Sequence, residues 1–551
     1  MKNQEESADC IFIVDSENDN EDKDVEGDEN EDKYFDADED VGKDTDPSKY
    51  ADEDPHQPSK PDTLDPSWPR SYRKSMDLLA SQSLNFLGSP TFSSLGGSFL
   101  SSSPKRRYTP NTITSLEKPL LPTEADKQLQ EHHSSDPSLS PQWTSSTKNL
   151  SHQKSFKMKK SSFGQAVING VNLLCGVGLL STPYAAKQGG WVGLSILFIF
   201  CALSLYTGIL LSRCLDSRPG LKSYPDIGEA AFGRSGRLII SIILYVELYA
   251  ACVEYIILES DNLSSLFPTA YLSIGGHQLS SHYLFAIMVT LVVLPTVWLN
   301  DMSVLSYISA GGVFVSILLV ICLFWVGLVD NIGFQTESTK TVNFATLPVA
   351  VGLYGYCYAG HAVLPNIYTS MENRSQFPLV LLASFAICTF LYAGVAIMGY
   401  MMFGEATESQ FTLSLPANFA ASKIAIWATV INPFTKYALT ISPVAMSLEE
   451  LIPSNDLRSR FYSVLIRTTL VISTMVVALT FPFFGLVMSL IGSLLTMLVS
   501  MIFPCACFSR LQSGNITRFQ GSLCVLIVTI GSVSAVFGTY TALSEIIQQL
   551  L

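Results

Sequence analysis

Charged residues are scarce over most of this chain. Residues 161 to 551 contain 17 acidic and 15 basic residues among 391, whereas about a quarter of the residues in a soluble domain are charged. This scarcity excludes an ordinary soluble domain and is typical of a membrane protein. The negative charge lies at the other end, since residues 1 to 60 carry 23 acidic and 6 basic residues.

The chain also lacks the features of several other classes of protein. Ten of its eleven cysteines lie in or beside apolar segments and Cys10 lies in the polar tail, so we expect no disulfide framework. Cys505 and Cys507 have no histidine nearby, which favours helix packing over a metal site. Neither a nucleotide-binding loop nor a catalytic triad is present. We therefore expect no enzyme activity, cofactor, metal or nucleic-acid partner.

Residues 1 to 155 have the composition of a disordered cytosolic tail, acidic at first and then rich in serine and proline. Such a segment has too little apolar surface to offset the entropy of ordering it. We interpret it as a solvated spacer. The alternatives are a tail that binds sorting or signalling partners and one that phosphorylation regulates. It has no basic region followed by an apolar core, so we expect the first membrane helix to direct insertion.

Residues 161 to 545 divide into apolar segments long enough to cross a bilayer, which takes about 20 residues. Eleven spans are predicted, at roughly 163–185, 191–213, 238–261, 282–299, 302–329, 344–369, 378–402, 420–447, 461–481, 485–508 and 519–541. Basic residues concentrate on the side where the chain begins, including four lysines between residues 154 and 160. The sequence therefore predicts an all-α membrane protein with a cytosolic N-terminus and a C-terminus on the far side.

Two predicted spans contain glycine and proline where a plain membrane helix would carry leucine. The first contains NLLCGVGLLSTPYAA, residues 172–186, and the sixth contains GLYGYCYAGHAVLPNIYTSM, residues 352–371. Backbone groups in lipid must be satisfied internally, so an interruption is tolerated only where it faces protein or a water-filled cavity. Because spans one and six each open a set of five, the pair predicts inverted repeats with a ligand at the midplane. Close packing through small residues is the alternative.

The two interruptions together suit a ligand with a carboxylate and an ammonium group. Unwinding at Cys175 to Gly178 would free backbone amides beside a helix N-terminus, and both attract a carboxylate. In the sixth span, backbone carbonyls and aromatic rings could receive the ammonium group and the side chain. The residues predicted to bind substrate here are Asn172, Cys175, Gly176, Val177, Gly178, Tyr354, Gly355 and Tyr356.

Four ionisable residues lie inside the predicted spans, where such residues are costly and often functional. Glu247 and Glu254 are two helical turns apart on one face of span three and could exchange protons near neutral pH. Lys436 in span eight could take the position of a cation, or form a purely structural ion pair with either glutamate. His361 could titrate or could be hydrogen-bonded in the packing. We expect proton coupling through some of these four residues, and sodium coupling stays open.

Four stretches carry a family resemblance: FGQAVINGVNLLCGVGLLSTPYAAKQGGW, YPDIGEAAFG, VEYIILESDNL and NPFTKYALTISPVAMSLE. They resemble the amino acid/auxin permease family, most closely its vacuolar amino acid transporter branch, over about residues 161 to 545. The resemblance implies a LeuT-type 5+5 inverted repeat plus one helix, with Thr429 and Asn432 near the unwound part of the first span. It also implies exchange of neutral amino acids for protons.

These observations converge on a secondary active transporter in the vacuolar membrane, whose partners are an amino acid, protons and the lipid bilayer. Two other functions stay open. One is a proton-coupled importer at the plasma membrane, and the other is an amino-acid sensor that signals through its tail.

Overall fold

The computed structural model describes residues 68–80, 160–274, 277–299, 311–452 and 456–551, and most of them are helical. The helices are α1 (Tyr72–Ala80), α2 (Phe163–Leu174), α3 (Gly178–Asp216), α4 (Tyr224–Leu266), α5 (Ser281–Trp298), α6 (Gly312–Leu328), α7 (Leu347–Tyr356), α8 (Leu364–Ser370), α9 (Phe377–Phe403), α10 (Phe411–Ser414), α11 (Ala420–Glu449), α12 (Asp456–Thr480), α13 (Phe484–Ile491), α14 (Phe503–Leu511) and α15 (Arg518–Leu550). Strands β1 (Leu272–Ile274) and β2 (His277–Leu279) form an antiparallel hairpin.

Shorter turns join or interrupt these helices. Single 3₁₀ turns lie at Thr336–Ser338, Arg374–Gln376 and Gly404–Ala406. Two π-helical turns, Gly492–Thr496 and Leu498–Ile502, connect α13 to α14 within one long apolar segment. Such turns are rare and occur often at functional sites. The Tyr224 hydroxyl donates to the Val499 carbonyl in the second of them, at 2.6 Å.

Capping residues fix where three of the long helices begin. Ser162, Ser223 and Thr517 each accept a hydrogen bond from the backbone three residues ahead, and the side chain at that position bonds back to the capping residue. This reciprocal arrangement satisfies amides that a helix start would otherwise leave unpaired. All three starts lie on the side that the distribution of basic residues predicts to be cytosolic.

Each predicted span contains a helix or a pair of helices. Within the described ranges, seven helical segments are long and apolar enough to cross a membrane: Gly178–Asp216, Tyr224–Leu266, Ser281–Trp298, Arg374–Ala406, Arg460–Thr480, Phe484–Leu511 and Arg518–Leu550. Spans one and six are each divided between two helices. Span five is seen only as the 17-residue α6, because residues 300–310 lie outside the described residues. Span eight is the 30-residue α11, which contains Lys436 and two prolines.

Between the predicted spans one and two, the helix is interrupted at a single residue. Helix α3 runs through both segments, and its one non-helical residue is Gly190, with φ 68° and ψ −175°. A Cβ at this position would lie 2.6 Å from the Thr341 carbonyl oxygen. Glycine is therefore required here both for its backbone conformation and for lack of space.

The expectation of disorder is wrong for one part of the tail. Residues 68–80 include the helix α1, and Tyr72, Ser75 and Met76 on it are buried against the membrane helices. The other residues of the predicted tail, 1–67 and 81–159, lie outside the described residues. The core that positions the site is formed by α3 packed against α7 and α9, and by α4 packed against α11.

Candidate functional site

The first span is interrupted as the sequence predicts. Helix α2 ends at Leu174 and α3 begins at Gly178. The amide of Cys175 still donates to the Val171 carbonyl and that of Gly176 donates to the Leu174 carbonyl, both at 2.7 Å. Within the described part of the chain, the amides of Val177 and Gly178 have no hydrogen-bond acceptor. The interruption therefore leaves two amides able to bind a ligand, and not the three that a fully unwound Gly176 to Gly178 would provide.

The sixth span is interrupted at the corresponding position. Helix α7 ends at Tyr356, α8 begins at Leu364, and the seven residues between them form turns. Pro365 lies in the first turn of α8, where its missing amide proton costs nothing. This confirms the second predicted break, which lies just beyond Gly355.

The two interruptions touch each other. A Cβ at Gly178 would lie 3.3 Å from the Cα of Cys357, the first residue after α7. The Tyr392 hydroxyl, on α9, lies 2.6 Å from the Leu174 carbonyl and 3.2 Å from the Cys357 carbonyl. The Tyr392 hydroxyl therefore lies between carbonyls at the ends of both interrupted helices, one of which, that of Leu174, also accepts from the Gly176 amide.

A partly open cavity of about 150 Å³ lies where these segments meet α4 and α11. Seven of the residues predicted to act in binding or coupling line it: Asn172, Gly176, Val177, Gly178, Tyr356, Glu247 and Lys436. Apolar side chains, including Leu173, Leu248 and Val363, complete the wall. The cavity thus combines two free amides, one ammonium group and one carboxylate with an apolar surface, which is typical of small-molecule sites.

Lys436 and the two glutamates do not form the structural ion pair that the sequence left open. The Lys436 ammonium lies 3.5 Å from the Asn172 carbonyl oxygen, and Glu247 accepts from the Thr496 hydroxyl at 3.3 Å. Glu254 is completely buried beside the side chain of Tyr356. Counting only residues that the structure describes, neither carboxylate lies within 4.0 Å of a cationic group.

Asn432 lies beside the cavity, next to a residue that the sequence analysis missed. A Cβ at Gly312 would come within 2.6 Å of the Asn172 side-chain oxygen, 3.1 Å of the Asn432 side-chain oxygen and 3.4 Å of Lys436 Cε. Gly312 at the start of α6 therefore lets helices α2, α6 and α11 meet at this point. The adjacent glycines at 311 and 312 are the signal that could have identified it.

Four other predicted residues lie outside the cavity lining. Cys175 directs its Sγ toward Cys388 Sγ, 3.3 Å away. The Thr429 hydroxyl donates to the Ala425 carbonyl at 3.0 Å within α11. Tyr354 is fully buried, and Gly355 packs against the Met497 side chain and the Gly492 carbonyl. Their part in binding stays a prediction.

His361 is fully buried outside the cavity, in the turn between α7 and α8. Its Nε2 lies 3.0 Å from the Thr207 hydroxyl and 3.2 Å from the Ser204 carbonyl. Because a carbonyl can only accept, this contact places a proton on Nε2. The geometry therefore favours hydrogen-bonded packing of His361 against α3 over a role in proton exchange.

The fold and the site define a class of protein. A helical membrane protein whose polar cavity lies between two interrupted helices has the architecture of a secondary transporter. Residues 159–544 match the family model of the transmembrane amino acid transporter protein, and the chain belongs to this family of transporters. The family resemblance that the sequence motifs predicted is thereby confirmed.

Relatives from Arabidopsis thaliana extend along most of the chain. Amino acid transporter AVT1C is 57% identical over 463 residues, which cover 82% of this chain and 84% of that protein. Amino acid transporter AVT1B is 57% identical over 453 residues, with coverage of 82% and 83%. Among solved structures, MhsT in complex with L-phenylalanine aligns with 68% of this chain and 98% of its own at 10% identity, with a TM-score of 0.44.

Proposed function

We propose that this chain is a secondary active transporter that moves neutral amino acids across the vacuolar membrane in exchange for protons. The observation that carries the proposal is the cavity between the two interrupted helices. In it Lys436 and Glu247 are not paired with each other, and the amides of Val177 and Gly178 donate to no acceptor among the described residues. A zwitterionic amino acid has a carboxylate that can pair with the two amides and Lys436, and an ammonium group that can pair with Glu247.

The substrate carboxylate binds the amides of Val177 and Gly178 at the N-terminus of α3, with Lys436 as its counter-charge. The ammonium group faces Glu247 and the ring of Tyr356. Charge balance favours a neutral substrate side chain, since Lys436 and Glu247 are the only charged residues among the described ones that line the cavity. A volume of about 150 Å³ is roughly that of five water molecules, which suits a small substrate.

Proton exchange takes place at Glu247 and Glu254. Glu247 lines the cavity, and Glu254 lies beside Tyr356, which lines it as well. Substrate and proton therefore act on the same few side chains, so that binding of one can change the affinity for the other. Sodium coupling is the alternative, which the experiment below distinguishes.

We infer a LeuT-type arrangement of eleven spans, as two sets of five and one further helix. The corresponding positions of the two interruptions in spans one and six support it. The N-terminus is cytosolic and the C-terminus luminal, which the concentration of basic residues on one side supports. The vacuolar location is supported by the resemblance of the motifs to the vacuolar branch of the family.

The test is uptake by the purified full-length chain in sealed vesicles that are acidic inside. A panel of labelled amino acids is offered outside, with protonophore-treated vesicles and vesicles under a sodium gradient as controls. We expect neutral amino acids to accumulate only under the pH gradient. Absence of gradient-driven uptake for every amino acid would sink the transporter proposal and favour the sensor, and uptake driven only by sodium would refute proton exchange.

The location is tested separately, by fluorescent tagging and membrane fractionation. We expect the tagged protein to purify with vacuolar membranes. A signal confined to the plasma membrane would instead support the importer.

A further inference from the structure

The segment of residues 68–80, which we name the N-terminal clasp, is anchored to the ends of α4 and α11. The Trp68 indole donates to the Ser447 carbonyl at 2.9 Å, and the Arg70 amide donates to the Glu450 carboxylate at 3.0 Å. The Arg237 guanidinium donates to the carbonyls of Trp68 and Pro69, at 3.3 and 3.2 Å. These contacts hold the beginning of the clasp on the side that the sequence predicts to be cytosolic.

The helical part of the clasp binds the segment that follows the second interruption. The Tyr72 hydroxyl donates to the carbonyl of Ala362, a residue that lines the cavity, at 3.2 Å. The side-chain amide of Asn366, on α8, donates to the Asp77 carboxylate at 2.8 Å and to the Arg73 carbonyl at 3.4 Å. The clasp thus contacts the chain on both sides of the start of α8.

The buried face of α1 fits this position closely. Tyr72, Ser75 and Met76 have relative exposures of 1%, 0% and 0%, and they occupy one helical face because they are three and four residues apart. The Tyr72 ring also packs edge-on against Tyr245 of α4, with ring centres 5.9 Å apart. Arg73 and Lys74 on the opposite face are exposed.

We propose that the N-terminal clasp restricts opening of the cavity toward the cytosol by tying α8 to α4 and α11. The clasp contacts α8, α4 and α11, so any opening that separates α8 from the other two helices must release the clasp first. A tail that carries such a clasp regulates the access of cytosolic substrate. This inference rests on the proposed transport function.

Two sets of variants of the full-length chain test the clasp in the vesicle assay described above. Tyr72→Ala with Met76→Ala removes the buried face, and Lys74→Ala on the exposed face is the matched control. Asp77→Cys with Asn366→Cys allows the clasp to be locked to α8 by copper phenanthroline and unlocked by dithiothreitol, with each single cysteine variant treated in parallel. Hydrogen exchange of residues 68–80 reports docking independently of transport.

In the double variant Tyr72→Ala with Met76→Ala, we expect the amides of the clasp to exchange hydrogen faster than in the native chain. Its initial uptake should be at least about threefold higher, since release of the clasp removes a competing closed state. Locking should reduce uptake about tenfold or more, and the reductant should restore it. Locking that leaves uptake unchanged, or release that speeds amide exchange without raising uptake, overturns the clasp. If neither the native chain nor the released variant transports any amino acid, the transport proposal fails instead.

Discussion

The Tyr392 hydroxyl lies 2.6 Å from the Leu174 carbonyl, the last carbonyl of α2. The same hydroxyl lies 3.2 Å from the Cys357 carbonyl, just beyond α7. Tyr392 is fully buried on α9, so water cannot replace it as a donor. One side chain outside the cavity lining therefore contacts the ends of both interrupted helices.

Replacing Tyr392 with Phe tests this contact. The change removes the hydroxyl donor of the buried Cys357 carbonyl and one of the two donors near the Leu174 carbonyl, at a cost of about 1–3 kcal/mol. We expect a lower unfolding temperature in detergent and uptake reduced about tenfold, because the unwound segments lose their shared donor. Tyr540→Phe is the control, since Tyr540 is 73% exposed on α15. Normal uptake by Tyr392→Phe would show that the interrupted helices do not need this hydrogen bond.

Replacing each of two nearby glycines of the first interruption with alanine is expected to affect uptake differently. A Cβ at Gly178 would lie 3.3 Å from Cys357 Cα and 3.5 Å from its Sγ, whereas at Gly176 the nearest atom is 3.9 Å away. Gly178→Ala must push the two interruptions apart, so we expect uptake to fall several-fold, and Gly176→Ala should stay near normal. Initial uptake rates at equal protein in the vesicles compare the two variants. Equal rates would contradict the close contact between the interruptions.

The ammonium group of Lys436 is expected to be essential for substrate binding. Lys436→Met keeps the length of the side chain and removes its charge. A hydrogen bond to a charged group contributes about 1.5–3 kcal/mol, so we expect substrate affinity to fall about tenfold or more. The control is Lys423→Met, at an exposed position on the same helix. This variant should bind substrate with the affinity of the native chain. Affinity is measured by equilibrium binding of labelled substrate, and unchanged affinity in Lys436→Met would exclude the proposed contact.

Glu254 is expected to couple transport to protons and not to hold the fold together. A buried carboxylate without a cationic partner is costly, so the isosteric Glu254→Gln should keep or raise thermal stability. We expect it to lose accumulation against a gradient while still exchanging labelled for unlabelled substrate. Glu408→Gln, at an exposed position, is the control. Full gradient-driven accumulation by Glu254→Gln would remove this residue from the coupling mechanism.

The two interruptions could be predicted from the sequence because glycine and proline act directly on the backbone. Gly176, Gly178 and Pro365 disfavour a continuous helix whatever surrounds them. The positions of Glu247 and Lys436 inside apolar spans likewise predicted that they face a polar site, and both line the cavity. Whether those two charges would pair could not be predicted, because they lie on different helices and their separation depends on tertiary packing.

Other features of the structure could not be predicted from the sequence around them. Tyr392 lies in an ordinary apolar span, and the Leu174 carbonyl that it satisfies is 218 residues away in the sequence. Helix α1 has nine residues, too few for a stable isolated helix, and it lies in polar surroundings. Its stability comes from burying Tyr72 and Met76 against other helices, which composition alone cannot indicate.

The docking of the clasp is expected to depend on pH through Asp77. Burial raises the pKa of this carboxyl above its usual value of 3.8, although its hydrogen bond with Asn366 and the nearby Arg73 act in the opposite direction. A group whose pKa rises on docking favours the docked state below its undocked pKa, and this contribution is lost as pH rises through the docked value. The ionised carboxylate therefore weakens docking at neutral pH.

Asp77→Asn keeps an oxygen that can accept from Asn366 and removes the ionisation. We expect the native clasp to become less protected from hydrogen exchange as pH rises from about 4 to 6, after correction for the intrinsic exchange rate at each pH. Asp77→Asn should show protection that hardly varies over this range and exceeds that of the native chain at pH 7. Lys74→Gln on the exposed face serves as the control. If native protection is constant over this range, or if Asp77→Asn is less protected at pH 7, the carboxylate stabilises the clasp and the expected sign is wrong.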